Sequence, residues 1–302
     1  MLGKLVSVIV PTYNRPELLM RCIQSILFQT YPYFEIIIVD DASLGDYSEV
    51  TKECANRGLT YIRLDHHKGP ARARNCGIQL AQGQLIAFND DDDVWDREKL
   101  KKQVELIEQA ADNAGLVFSK YKKIFRDGSQ IEISPAQQLT DNWHKSLLRY
   151  NFIGTPTVLM KRECFAKAGT FNEDLPCLED WDLWIRVSNI YSLLYLPENL
   201  VSAYESQDSR NANEKDNAIA HERIMNNYLD EISKDKKLLS AYYWRIGIAN
   251  EAIHDYQRSL VCFVKSFYHH RRFSTMCRIA ACLSKCHNLA RTSSVKSCSH
   301  LF

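Results

Sequence analysis

The chain has 302 residues, 45% hydrophobic and 25% charged, with 38 Lys and Arg against 37 Asp and Glu. That much apolar material can bury a sizeable core, which excludes extended disorder, and a net charge of +1 argues against a nucleic-acid binder. The longest apolar runs fall far short of the roughly 18–20 residues of a membrane-spanning helix, and the start MLGKLVSVIVPTYN lacks the pattern of a signal peptide. The ten cysteines are therefore expected as reduced, mostly buried thiols of a soluble, cytoplasmic protein.

Along the first ninety residues two periods alternate. An apolar run at 6–10 is stopped by Pro11, and Asn14, Pro16 and Glu17 have the pattern of a helix start, with Asn14 as cap. Leu18, Leu19, Cys22, Ile23, Ile26 and Leu27 then recur at helical spacing to about residue 29. Residues 36–39 suit a strand buried on both faces, closed by Asp40 and Asp41. Helix 47–57, strand 60–64, helix 70–81 and strand 84–88 follow, the last running into Asn89, Asp90, Asp91, Asp92 and Asp93. Strands alternating with helices predict βαβ units, hence an α/β fold with a mainly parallel, Rossmann-like sheet flanked by helices. Ligands of such sheets bind at the carboxyl ends of the strands, where both acidic clusters fall.

Four successive aspartates repel one another unless a cation joins them, and oxygen-only ligation suits Mg²⁺ or Mn²⁺ bridging a carboxylate to substrate phosphates. An acidic turn capping the helix after Trp95 is the plainer alternative. Neither G-x-G-x-x-G nor G-x-x-x-x-G-K-[ST] follows a predicted strand, which argues against dinucleotide and P-loop enzymes. An aspartyl-phosphate phosphatase would carry its acids after the first strand, whereas here they follow the fourth. A second acid group, Glu179, Asp180 and Asp182, opens a helix expected to bury Trp184, Ile185 and Val187.

The segments VSVIVPTYNRPELLMRCIQSILFQT, EIIIVDDAS, GPARARNCGI and LIAFNDDDDVWDREKL, continued by Thr155-Pro-Thr-Val, Gly169-Thr-Phe-Asn-Glu and LEDWDLWIRVS, resemble family 2 glycosyltransferases over residues 4–205. These are inverting enzymes of the GT-A fold that use nucleotide-diphosphate sugars. The resemblance implies Asp92 as metal ligand for Mg²⁺ or Mn²⁺, with Asp90 and Asp91 on the nucleotide-sugar side and Asp93 supporting the loop. It implies Asp41 as acceptor for the nucleobase, Thr12 and Tyr13 beside the base, and Arg72 and Arg74 on phosphate or ribose, although on a helix these arginines could equally be solvated. Glu179 and Trp184 fall on the substrate side, and Asp180 is the candidate base for the acceptor hydroxyl. The implied function is transfer of a sugar, UDP-linked by preference, to a glycan or lipid-linked acceptor in cell-surface polysaccharide synthesis. One departure is Tyr204-Glu-Ser-Gln207, where many members carry Y-R-x-H. It leaves open a degenerate, non-catalytic scaffold that binds nucleotide sugar and acts through its tail.

Charge marks the tail. Residues 240–302 hold nine Lys and Arg against two acids, a balance of +7, and residues 1–239 carry −6. The expected organisation is a GT-A domain at 1–210 and a basic, all-helical extension at 211–302. Helices are predicted at 241–250, 256–269 and 273–287, faintly like one tetratricopeptide-type pair. Cys277, Cys282 and Cys286 lack the paired spacing of zinc sites, so buried helical cysteines are expected. Trp244, Phe263, Phe267, Tyr268 and Phe273 among basic residues suit either a peripheral anionic membrane surface or a packed cap and homodimer interface.

Overall fold

The computed structural model describes residues 3–135, 142–205 and 214–298, with side chains as far as 287. The chain forms two compact units, Met1–Glu173 with Glu179–Ser209, and Asp174–Leu178 with Arg210–Phe302.

In the first unit the chain runs β1 (Val6–Thr12), α1 (Pro16–Leu27), β2 (Phe34–Asp40), α2 (Ser48–Arg57), β3 (Thr60–Arg63), α3 (Pro70–Leu80) and β4 (Leu85–Phe88). It continues through β5 (Val94–Trp95), α4 (Lys99–Gln109), β6 (Ala114–Ile124), β7 (Gln130–Ile133) and α5 (Trp143–Arg149). A 3₁₀ turn at Thr155–Thr157, β8 (Leu159–Lys161), α6 (Glu163–Ala168), α7 (Glu179–Ser188) and β9 (Ser192–Tyr204) complete it.

The sheet order is β3-β2-β1-β4-β8-β6-β9-β5, with β7 on β6. The half legible from the βαβ pattern is parallel throughout: Val6–Thr12 lie opposite Phe34–Asp40, and Val6 opposite Leu85. The other half is mixed, since β8 runs antiparallel to β4 and β6 while β6 and β9 are parallel. β1 and β4 are buried at every position, as β-branched strands covered on both faces must be. Glycine at position 77 lets α3 lie directly on β1, because a Cβ there would overlap the side chain of Ile9. β1 leads outward to β2 and β3 on one side, and the chain then returns to place β4 on the other, so the topological switch point lies between β1 and β4.

Two local expectations are corrected. Asn14 is not the cap of α1: its backbone is left-handed (φ 56°), its side chain accepts from the Leu44 amide at 2.7 Å, and Arg15 holds the cap position. The helix expected after Trp95, from Asp96, begins at Lys99 as α4, because Val94 and Trp95 pair with Ser202 and Val201 of β9.

The second unit holds α8 (Glu214–Asn227), α9 (Leu229–Ile232), α10 (Lys236–Ala252), α11 (Tyr256–His269) and α12 (Phe273–Cys298). The first two fall within the expected helical extension, although no individual helix was assigned there from the sequence. α10 and α11 approach closely: a Cβ on Gly247 would fall 2.8 Å from the Phe263 ring, and Trp244 packs on that ring at 5.2 Å. Ser240 and Ser266 exchange hydroxyl-to-carbonyl hydrogen bonds of 2.8 and 2.9 Å, and Ser259 donates to the Gly247 carbonyl at 2.9 Å. Glu251 ties α10 to α12 through Arg278 at 2.7 Å and Lys285 at 2.9 Å. Among the described residues no helix is long and apolar enough to cross a membrane.

Candidate active site

The four aspartates follow β4 at the switch point, folded into a turn in which the Asp93 amide donates to the Asp90 carbonyl at 3.0 Å. Asp91 is buried; it accepts from the Thr12 hydroxyl at 2.8 Å and from Arg15 at 3.2 Å. Arg15 also donates to Asp92 at 2.9 Å, so one guanidinium spans two carboxylates. Asp93 is buried too and accepts from the Tyr204 amide at 3.2 Å, which fixes the end of β9 to this turn. Burial pushes the Asp91 carboxyl up to about 6 against the pull of Arg15, and burial with the neighbouring Asp90 and Asp92 charges raises that of Asp93.

Arg74, on α3, joins this turn to the second acid group. Its guanidinium donates to Asp90 at 2.7 Å and to Glu179 at 2.8 Å, and the side chain is buried. The solvated alternative for Arg74 is corrected: the arginine is the buried counter-charge of two acidic motifs. Asn75 beside it binds the Phe171 carbonyl and amide at 2.9 and 3.0 Å and Glu173 at 2.8 Å, fastening the approach to α7. Asp180 follows Glu179 in the first turn of α7. It accepts from the Trp181 amide at 2.6 Å, Asn151 at 3.1 Å and the Thr155 hydroxyl at 3.2 Å. Burial and the Glu179 charge raise its carboxyl to about 6, opposed by Arg74 and the hydrogen bonds.

On the other side of β1, Thr12 is buried under Asp91 and Tyr47, its hydroxyl 3.2 Å from the Tyr47 hydroxyl. Tyr13 is half-buried and stacks on His67 at 4.0 Å. Asp41 is buried and accepts from the Lys68 and Gly69 amides at 3.0 and 2.7 Å and from His67 at 2.8 Å. Asp40 braces its loop through the Ser43 amide and the Tyr61 hydroxyl. Arg72 is solvated, 3.5 Å from Glu173.

Trp184 is corrected as a substrate-side residue. It is 0% exposed and packs edge-on against Phe171, because α7 turns its apolar face to the core. Asp182 pairs with Arg186 at 2.9 Å one turn along the same helix. The structure adds Arg15, Asn151 and Thr155, none of them given a role from the sequence, and Tyr121, whose hydroxyl is raised by burial and by the charges of Asp180 and Asp93. Gln207 lies outside the described residues.

Carboxylate oxygens on adjacent residues at a strand end form a hard donor set that fits Mg²⁺ or Mn²⁺; burial first, and then the neighbouring charges, raise two of the four carboxyls, and a cation relieves the charge part. Among the described residues no group of three or more His, Cys, Asp or Glu converges to hold a metal. Asp92, with Asp90 beside it, is the part of the turn able to offer oxygens.

Residues 7–167 match the family described as Glycosyl transferase family 2. An uncharacterized glycosyltransferase of Rickettsia felis is 36% identical over 190 residues, which cover 62% of this chain and 31% of that protein. The Escherichia coli UDP-Glc:alpha-D-GlcNAc-diphosphoundecaprenol beta-1,3-glucosyltransferase WfaP is 30% identical over 186 residues, covering 61% of this chain and 70% of its own. The chain spans 26–47% of the length of three rickettsial glycosyltransferases that it matches. Among solved structures, S. aureus TarS 1–349 in complex with UDP-GlcNAc superposes with a TM-score of 0.65 at 18% identity, over 88% of this chain and 89% of that one. The Pyrobaculum calidifontis mannosyltransferase PcManGT in complex with GDP-Man and Mn²⁺ gives 0.61 at 18% identity, over 94% and 85%. These structures share the fold, and the sequence match extends over more than half of the residues: the chain belongs to glycosyl transferase family 2.

Proposed function

We propose that this chain transfers a sugar from a nucleotide-diphosphate donor, UDP-linked by preference, to a hydroxyl of a glycan or lipid-linked acceptor in cell-surface polysaccharide synthesis, with inversion at the sugar carbon. The observation that carries this reading is the Asp90–Arg74–Glu179 bridge, which assembles the acidic turn of β4 and the base candidate Asp180 into one site. The name of WfaP, with a UDP-glucose donor and a diphosphoundecaprenol-linked acceptor, supports the donor and acceptor classes.

In this reading Tyr13 offers a flat face to the nucleobase, and Asp41 accepts from a base N–H by sharing or exchanging the bond it makes to His67. Asp92 and Asp90 would hold Mg²⁺ or Mn²⁺, which would supply positive charge to the leaving diphosphate. Arg15 keeps the Asp92 carboxylate in place at this turn. Asp180, ionised at neutral pH yet raised towards it, takes the proton of the acceptor hydroxyl as the oxygen attacks the sugar carbon. Asn151 and Thr155 fix the carboxylate for that task.

Calorimetry of UDP with Mn²⁺ and again with EDTA tests the donor half. Binding is expected with metal only and is lost in Asp92→Ala; equal affinity in both buffers refutes the metal assignment. A wild-type protein that binds nucleotide sugars but turns over none of a panel of donors and lipid-linked acceptors would support the scaffold alternative instead.

A further inference from the structure

α11 and α12 of the second unit bury few large apolar side chains. The fully buried positions are Ser259, Phe263 and Ser266 on α11 and Thr275 and Cys282 on α12, with Leu260, Phe267 and Ile279 half-buried. Apolar residues also stand on the outward faces. Val261, Val264 and Tyr268 recur at helical spacing along α11, and Phe273, Met276 and Leu283 do so along α12, and all six are exposed. Tyr268 is 81% and Phe273 76% exposed. Among the described residues, fourteen large apolar side chains are exposed, and these six of them lie in two consecutive helices. Six exposed large apolar side chains on two consecutive helices face water only at a cost, and such a concentration marks an interaction surface.

Charge identifies the occupant. After Asp255 the sequence contains eight Lys and Arg and no acidic residue. Lys265 stands within the apolar stripe of α11, and Arg271 and Arg272, both exposed, sit in the turn that joins the two stripes. Two copies meeting through this surface would bring like charges together around an apolar patch. A surface with fixed negative charge and an apolar interior complements both features at once. We infer that α11 and α12 lie on an anionic lipid bilayer, with Tyr268, Phe273 and Leu283 in the interface and Lys265, Arg271 and Arg272 at the headgroups. The inference stands on the second unit alone, whatever the first unit transfers.

Flotation of the full-length protein with vesicles tests it. Phosphatidylcholine vesicles containing a third phosphatidylglycerol should carry the protein upward, and pure phosphatidylcholine vesicles should not. Raising salt from about 0.05 M to about 0.5 M should release much of it. Arg271→Gln with Arg272→Gln should weaken binding about 30-fold, at about 1 kcal/mol for each charge near the surface. A triple variant Tyr268→Ser, Phe273→Ser, Leu283→Ser replaces only exposed side chains; it should keep wild-type circular dichroism and lose vesicle binding. Wild-type protein that ignores anionic vesicles at low salt, or a triple variant that floats unchanged, overturns the inference. So does light scattering that shows a dimer which the triple variant breaks, since the surface is then covered by a second copy.

Discussion

Replacing Asn151 by leucine tests how the site sets the proton affinity of its base. The amide donates to Asp180 at 3.1 Å, and the carboxylate keeps the Trp181 amide and the Thr155 hydroxyl when that bond is removed. A hydrogen bond to a charged group contributes about 1.5–3 kcal/mol, and a donor of this length belongs at the lower end. At about 1.4 kcal/mol per pH unit this amounts to about one unit. The bond stabilises the ionised form, so its loss raises the carboxyl from about 6 to about 7. A general base must be ionised, so the acid limb of kcat/KM should move up by about one unit, with activity about fivefold lower near pH 6 and nearly unchanged near pH 8. Stability offers a second readout. A carboxyl whose folded value lies above its unfolded one binds more protons when folded, so stability falls as pH rises between the two values. Raising the folded value extends that window upward, and the loss of Tm relative to wild type should be larger at about pH 8 than at about pH 5. An acid limb that stays in place or moves to lower pH refutes the assignment of Asp180 as the titrating base.

Asp180→Asn should lower turnover by about 10²–10⁴-fold while leaving the calorimetric affinity for UDP nearly unchanged; normal turnover would move the base to another residue. Arg74→Met leaves Glu179 buried without a cation, and because Asp90 is 34% exposed and can be hydrated, the loss belongs at the low end of the range for a broken buried pair. That is about 3 kcal/mol, or about 6–12 °C in the Tm of the first unit, and a calorimetric Tm within about 2 °C of wild type contradicts a structural role for the bridge. Gly247→Ala forces a methyl group towards the Phe263 ring and should destabilise the second unit by about 1–3 kcal/mol, read as a lower urea midpoint for the tail helices; an unchanged midpoint means the helices can part without loss.

β1 and β2 were legible because burial on both faces favours apolar, β-branched runs, and β3 and β4 because they alternate with helical segments. Aspartates at strand ends are equally visible, being local and consecutive. What escaped is what depends on distant partners. Arg74 looked like a solvated helical arginine, since nothing near it in the chain shows that Asp90 and Glu179 close on it from both sides. Arg15 and Asn151 were silent for the same reason. Two-residue β5 has no period to detect, and it exists only because β9 arrives beside it. Trp184 was misassigned by motif although the helical spacing of its neighbours already placed it inward. Asn14 carries the right residue type for a cap, but the left-handed backbone that asparagine tolerates gave it a different task.

The Asn75 and Arg74 contacts bear on where this enzyme can be cut. The match to the family model ends at residue 167, which invites expression of that portion alone. A fragment ending there would strip Asn75 of its bonds to Phe171 and Glu173 and leave Arg74 without Glu179, exposing the floor of α3 and a half-neutralised arginine in a dry environment. A piece that keeps the whole sheet therefore extends through α7 and β9, since β9 lies between β6 and β5 and its Tyr204 amide holds Asp93. A truncation anywhere between the acidic turn and α7 removes Glu179 and leaves Arg74 with Asp90 alone.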